Sequence, residues 1–189
     1  VKPMDGTSVN IDFLTTQYDG PDSTLMRTIE DELSAIQVRG LGLALNKPLT
    51  VTVSGERLSG GQCTENINVC RPIPFIALKA LAYDNRRERK DVYDLIYVLI
   101  HCEENPTTMA KLITEEERSS DSFQVAIDAL VRHFETPQHS GAVDYARFLQ
   151  NSDAEATNAF ATVQEFLQGL SMWNAYRFVS SAPQVFLSR

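Results

Sequence analysis

Lys79 interrupts an otherwise apolar stretch, Phe75-Ile76-Ala77-Leu78-Lys79-Ala80-Leu81. An ammonium group on a helix that must bury its neighbours needs an anionic partner, either a carboxylate or a phosphate. Two candidates follow in Lys90-Asp91-Val92-Tyr93-Asp94-Leu95. Helical spacing of three places Asp91 and Asp94 on one face, away from Val92, Leu95 and Leu99. Between them and Lys79 lies the densest basic run of the chain, Arg86-Arg87-Glu88-Arg89-Lys90. Cations and carboxylates gathered in this way suit phosphoryl chemistry, in which fixed positive groups offset charge developing on the transferred group. The plainer account is a solvated helix start with i,i+4 pairs Arg87–Asp91 and Lys90–Asp94, each contributing about 0.2–0.5 kcal/mol. Both pairs place the base before the acid, the less favourable order, so surface stabilisation explains the pattern poorly.

A further acid, Asp12, lies in Val9-Asn10-Ile11-Asp12-Phe13-Leu14. Alternation predicts a strand with Val9, Ile11 and Phe13 on one face and Asp12 on the other. A carboxylate at the lip of a sheet could hold Mg²⁺ together with a nucleotide phosphate. The same residue also fits an exposed strand position or an Asx turn before Thr15. Other groups carry less. The glycines of Ser54-Gly55-Glu56-Arg57-Leu58-Ser59-Gly60-Gly61 suggest a phosphate loop, but Gln62 stands where lysine is required and no strong helix follows. His133 and His139 flank Pro137 and read as loop residues, not metal ligands. Cys63, Cys70 and Cys102 form no CxxC pair, which favours reduced thiols in a reducing compartment.

The elements that must position these groups read as α+β. After the first strand, Leu25, Ile29, Leu33 and Ile36 form a helical stripe capped by Asp22 or Ser23 and stopped at Gly40. Leu49 to Val53 and Asn66 to Cys70 form a hairpin. Helices are predicted over 74–83, 90–102, 121–134, 141–150 and 153–173. Trp173, Tyr176, Phe178 and Phe186 are expected to pack in a core. The predicted division is a sheet region over 1–72 and a helical lobe over 73–189, expected to pack as one compact unit.

Pro72-x-Pro74-x2-Ala77-Leu78-Lys79-Ala80, the basic linker and Lys90-Asp91-Val92-Tyr93-Asp94-Leu95 together resemble the signature of AbiEii-type nucleotidyltransferase-fold proteins, which include toxins of toxin–antitoxin systems. The Asp12 strand is similar to the one carrying their third acidic residue, and the matching pieces span roughly residues 8 to 100. The resemblance implies a partial nucleotidyltransferase-like mixed sheet followed by a helical lobe. It implies transfer of a nucleotidyl group from an NTP, with Mg²⁺, to an RNA or protein acceptor, and an antitoxin-like partner. By the same resemblance Asp12 is a metal ligand, Lys79 contacts the phosphates and Asp91 is an essential acid. Arg86, Lys90 and Asp94 join Lys79 in the nucleotide-binding set. The family's Gly-Ser turn and Asp-x-Asp pair have no counterpart before Asp12. A complete two-metal site is therefore not expected from these residues. An upstream segment supplies the pair, or the chain is a degenerate relative that works as a protein-interaction module.

Composition bounds these readings. The chain has 189 residues, 43% hydrophobic and 22% charged, enough for one domain with an ordinary core. A net charge of -8 argues against broad, nonspecific nucleic-acid binding, which needs a positive field. No apolar run reaches the ~20 residues that span a bilayer and no leader pattern opens the chain, so no membrane association and a cytoplasmic location are expected. Val1 in place of Met adds to the expectation of a segment upstream.

Overall fold

The computed structural model describes residues 12–16, 26–30, 33–57, 59–150 and 153–180, without the side chains of 26, 27, 29, 30 and 172–180. It has an α+β fold, and the chain divides into two compact units, Val1–Leu78 and Lys79–Arg189.

The first unit contains strands β1 (Leu14–Thr16), β2 (Met26–Glu30) and β3 (Leu33–Val38), helix α1 (Leu41–Leu45), and strands β4 (Leu49–Glu56) and β5 (Gln62–Val69). The order β1-β3-β2 makes a mixed sheet: β1 runs parallel to β3, with Leu14 opposite Ile36, and β2 runs antiparallel to it, with Arg27 opposite Ala35. Where a helix is expected from Leu25 to Ile36, the described residues form two strands, β2 and β3. Its apolar spacing fits a helical face, but Leu33 to Val38 is a central strand bonded on both edges, where inward and outward faces need not alternate cleanly. Backbone pairing with β1 and β2 outweighs the local period. Gly40, with φ 79°, turns the chain into α1 instead of ending a helix. The first strand also shifts: among the described residues it begins at Leu14, and Val9 and Ile11 lie outside them. Phe13 is exposed, and its carbonyl accepts a bond from the Ile36 amide at 2.8 Å.

The hairpin of β4 and β5 forms as the alternation predicts, with strands longer than the sequence suggested. Leu49 faces Val69, Val51 faces Ile67, and the pairing continues to Glu56 opposite Gln62. One face carries a polar ladder: Thr50 donates to Asn68 at 3.1 Å, Thr52 donates to Asn66 at 2.9 Å, and Ser54 bonds Thr64 at 2.8 Å. Leu49, Val51, Val53, Ile67 and Val69 share the other face and are exposed. Gly60 and Gly61 take φ of 85° and 90° in the turn, a conformation that a side chain would strain.

The second unit is helical. Helix α2 (Pro72–Arg86) crosses the division between the units. It is followed by α3 (Arg89–His101), α4 (Pro106–Ala110), α5 (Glu115–Ser119), α6 (Asp121–His133), α7 (Ser140–Phe148) and α8 (Asp153–Ser180). Helix α8 packs on α3, α4 and α7, while α6 packs on α5 and α7. The core includes Leu95, Ile96 and Leu99 of α3, Ala126 and Leu130 of α6, and Val163 and Phe166 of α8. The five longer helices match the predicted periodicity. The short α4 and α5 were not anticipated, although their caps are legible. Asn105 accepts from the Thr108 amide at 2.8 Å with Pro106 next to it. Thr114 and a buried Glu117 complete a capping box. Trp173, Tyr176 and Phe178 lie on α8 with side chains beyond those described, and Phe186 lies outside the described residues.

No helix among the described residues is long and apolar enough to cross a membrane.

Candidate functional site

The site is built by the reversal between α2 and α3. Helix α2 ends at Arg86, Arg87 adopts a left-handed φ of 57°, and Glu88 is extended as the residue preceding α3. The Arg87 amide still bonds the Tyr83 carbonyl at 3.0 Å, and the Asp91 amide bonds that of Glu88 at 3.0 Å. The basic run is thus a helix end, a turn and a helix start. This geometry overturns the expected Arg87–Asp91 pair, because the two residues do not share a helix. Arg86 takes its place, with Nε donating to Asp91 Oδ2 at 2.7 Å and Nη2 to Oδ1 at 2.8 Å. Such a fork is stronger and more directional than a single contact.

Lys79 lies across from both acids, as its apolar surroundings required. Its Nζ donates to Asp91 Oδ1 at 3.0 Å and to Asp94 Oδ2 at 2.7 Å, and Lys90 donates to the same Asp94 oxygen at 2.7 Å. Asp91 is not on a solvent face: its side chain is 1% exposed, against 20% for Lys79, 58% for Arg86 and 70% for Lys90. Three cations surround two carboxylates, so the cluster carries an excess positive charge. Burial penalises the Asp91 carboxylate, but hydrogen bonds from Arg86 and Lys79 outweigh this and hold it below the usual carboxylate range. Asp94 is lowered in the same way, burial being outweighed by Lys79 and Lys90. Burial pulls Lys79 down, yet bonds to Asp94 and Asp91 keep it raised.

Asp12 belongs to the first unit, where it is exposed two residues before β1. Asp91 and Asp94 are already engaged by cations, and among the described residues no group of three or more His, Cys, Asp or Glu side chains could hold a metal. The described side chains therefore do not fit a resident Mg²⁺, which needs several oxygen ligands.

A second polar cluster, which the sequence reading missed, lies on the same helical unit. His133 is the last residue of α6 and is 5% exposed, not a loop residue. Its Nε2 lies 2.8 Å from Asp84 Oδ1, and its Nδ1 lies 2.9 Å from Ser140 Oγ and 3.0 Å from Arg87 Nη1. Arg132 also bonds Asp84, at 3.0 Å, and the Tyr83 hydroxyl donates to Asp144 at 2.7 Å. Burial, together with Arg87 and Arg132, keeps the His133 pKa below its ordinary value despite Asp84. No sequence spacing announced this group, since Asp84, His133 and Ser140 come from three helices.

These shifts predict two acid steps in stability. His133 is lowered from 6.5, so its contribution is full above that value and is lost as pH falls through its folded pKa. Asp91 and Asp94 are lowered from 3.8, so theirs is full above 3.8 and is lost as pH falls further. Urea midpoints should begin to decline below about pH 6.5 and drop again below about pH 4. His133→Gln should remove the first step. A midpoint flat through both windows would contradict the assignment.

The chain matches no protein-family model, no curated protein and no solved structure.

Proposed function

We propose that this chain is a nucleotidyltransferase-like protein whose Lys79, Arg86 and Lys90 receive the phosphates of an NTP, and that it acts as the toxin of a toxin–antitoxin pair. The observation that carries the proposal is the position of Lys79 between Asp91 and Asp94, beside the solvent-exposed Arg86 and Lys90. The two carboxylates hold Lys79 charged and oriented. Arg86 and Lys90, with most of their side chains in water, can turn toward a phosphate at little cost in burial. Asp91 then positions the cations, and Asp94 balances Lys79 and Lys90. In this reading Mg²⁺ arrives as part of the Mg·NTP substrate, and the acceptor is an RNA or a protein.

Equilibrium dialysis with each Mg·NTP, and labelling of RNA and protein acceptors from α-labelled NTP, test the proposal. The chain should bind at least one Mg·NTP, and Lys79→Met should weaken binding at least about tenfold, the scale of one charged contact. Failure of the folded protein to bind any NTP or label any acceptor sinks the enzymatic reading. A second reading, a catalytically degenerate fold serving as a protein-interaction module, is favoured by the exposed apolar face of the β4–β5 hairpin. Retained folding without Mg·NTP binding selects it.

A further inference from the structure

Ser140 opens α7 at a point where three other polar side chains converge on its hydroxyl. The groups present limit the direction of these hydrogen bonds. Burial disfavours the Asp84 carboxylate, but bonds from His133 and the nearby Arg132 charge outweigh it, so Asp84 stays ionised and can only accept. The proton of neutral His133 therefore sits on Nε2, facing Asp84, and the Nδ1 lone pair faces Ser140. Arg87 can only donate, and its Nη1 lies 3.1 Å from Ser140 Oγ. Arg87 Nη1 also lies 3.0 Å from Nδ1 and competes with Ser140 for that lone pair. The arrangement that activates the serine has Ser140 Oγ–H donating to Nδ1, Arg87 donating to the serine oxygen and His133 donating to Asp84. The Tyr83 oxygen, whose own proton goes to Asp144, also faces Ser140 and Arg87.

We propose that Ser140 is a nucleophile toward phosphoryl electrophiles, with His133 as its general base, Arg87 as the cation beside the attacked phosphorus and Asp84 as a positioning residue. A base hydrogen-bonded to the nucleophile, and itself oriented by a third group, is the arrangement that activates a hydroxyl. Arg87 decides the substrate class. Among the described residues its side-chain partners are neutral: Ser140, His133 and the Tyr83 ring, 5.4 Å from the guanidinium carbon. Its planar fork matches phosphoryl oxygens. The left-handed backbone at Arg87, uncommon for a residue with a side chain, holds it at this junction.

In the reaction Ser140 Oγ forms a bond to phosphorus and the bond from phosphorus to the leaving oxygen breaks, that oxygen keeping the electron pair. The hydroxyl proton moves to His133 Nδ1, and the imidazolium, facing Asp84, then returns it to the leaving oxygen. Arg87 offsets charge on the remaining phosphoryl oxygens. None of these steps uses the Lys79 cluster or an NTP, so the inference stands apart from the proposed function.

The test is phosphonylation of the full chain by an alkyl fluorophosphonate, which loses fluoride on attack, with the adduct located by peptide mass spectrometry. Ser140 should be labelled in the native protein and not after unfolding in urea. Labelling should slow about 100-fold in His133→Gln, the scale of general-base assistance. In the native protein the rate should also fall in acid as His133, faced by Asp84, Arg87, Arg132, Tyr83 and Ser140, gains a proton. This profile gives the same readout if His133→Gln does not fold. No native adduct on Ser140, or one formed equally fast in unfolded protein or independent of pH, overturns the proposal.

Discussion

Asp91→Asn should destabilise the protein by about 3 kcal/mol, the lower end of the cost of breaking a buried ion pair from one side. The change keeps the shape of the side chain and removes its charge. Both carboxylate oxygens are in use, by the Arg86 fork and by Lys79, and the side chain is 1% exposed. An amide offers one acceptor oxygen, and its NH₂ would point donors at donors. The lower end of the range applies because Lys79 retains Asp94 and Arg86 can release its charge to water. Arg86→Met should therefore cost less, about 1 kcal/mol, since Asp91 keeps Lys79 and most of the arginine was already solvated. Urea unfolding of the two single variants and the double variant measures the coupling directly. A cost below about 1 kcal/mol for Asp91→Asn would show that the cluster does not hold α2 to α3. Activity lost in that variant, or in Lys79→Met, which takes a cation from buried Asp91 and from Asp94, must be weighed against the loss of stability.

Gly141→Ala should cost about 3 kcal/mol, the upper end of ordinary overpacking. An added Cβ would lie 2.5 Å and 2.6 Å from two ring atoms of Phe134 and 2.8 Å from the His133 carbonyl oxygen. Phe134 is 1% exposed and the carbonyl is backbone, so neither can move aside cheaply. Relief requires the start of α7 to lift from the end of α6. That motion would also separate Ser140 from His133, so fluorophosphonate labelling should slow along with the drop in urea midpoint. An unchanged midpoint would mean that the two helices separate freely and that their close approach contributes little.

Two helices in the sequence, around Lys79 and around Asp91 and Asp94, carry most of what can be read about the site. Their apolar stripes define which residues are buried, and an ammonium on a buried face has to meet an acid. The pairing of Lys79 with Asp91 and Asp94 was legible for that reason. The partner of Asp91 was not, because the residue at which α2 stops decides whether Arg86 or Arg87 reaches it. Leu25 to Ile36 illustrates a different limit, since spacing consistent with one helix became two strands once neighbouring backbone was available for pairing.

By itself, then, the sequence determined the α+β class, the β4–β5 hairpin, the long helices and the charged pair of helices near residue 79. Each of these follows from local periodicity or from the cost of burying a charge. Only the tertiary structure decided that Asp91 is buried under an arginine fork, that β3 is a central strand, and that Asp84, Arg87, His133 and Ser140 meet. Those residues are up to 56 positions apart (140 − 84), and no local period links positions on separate helices. Packing brings them together, with Gly141 allowing the approach.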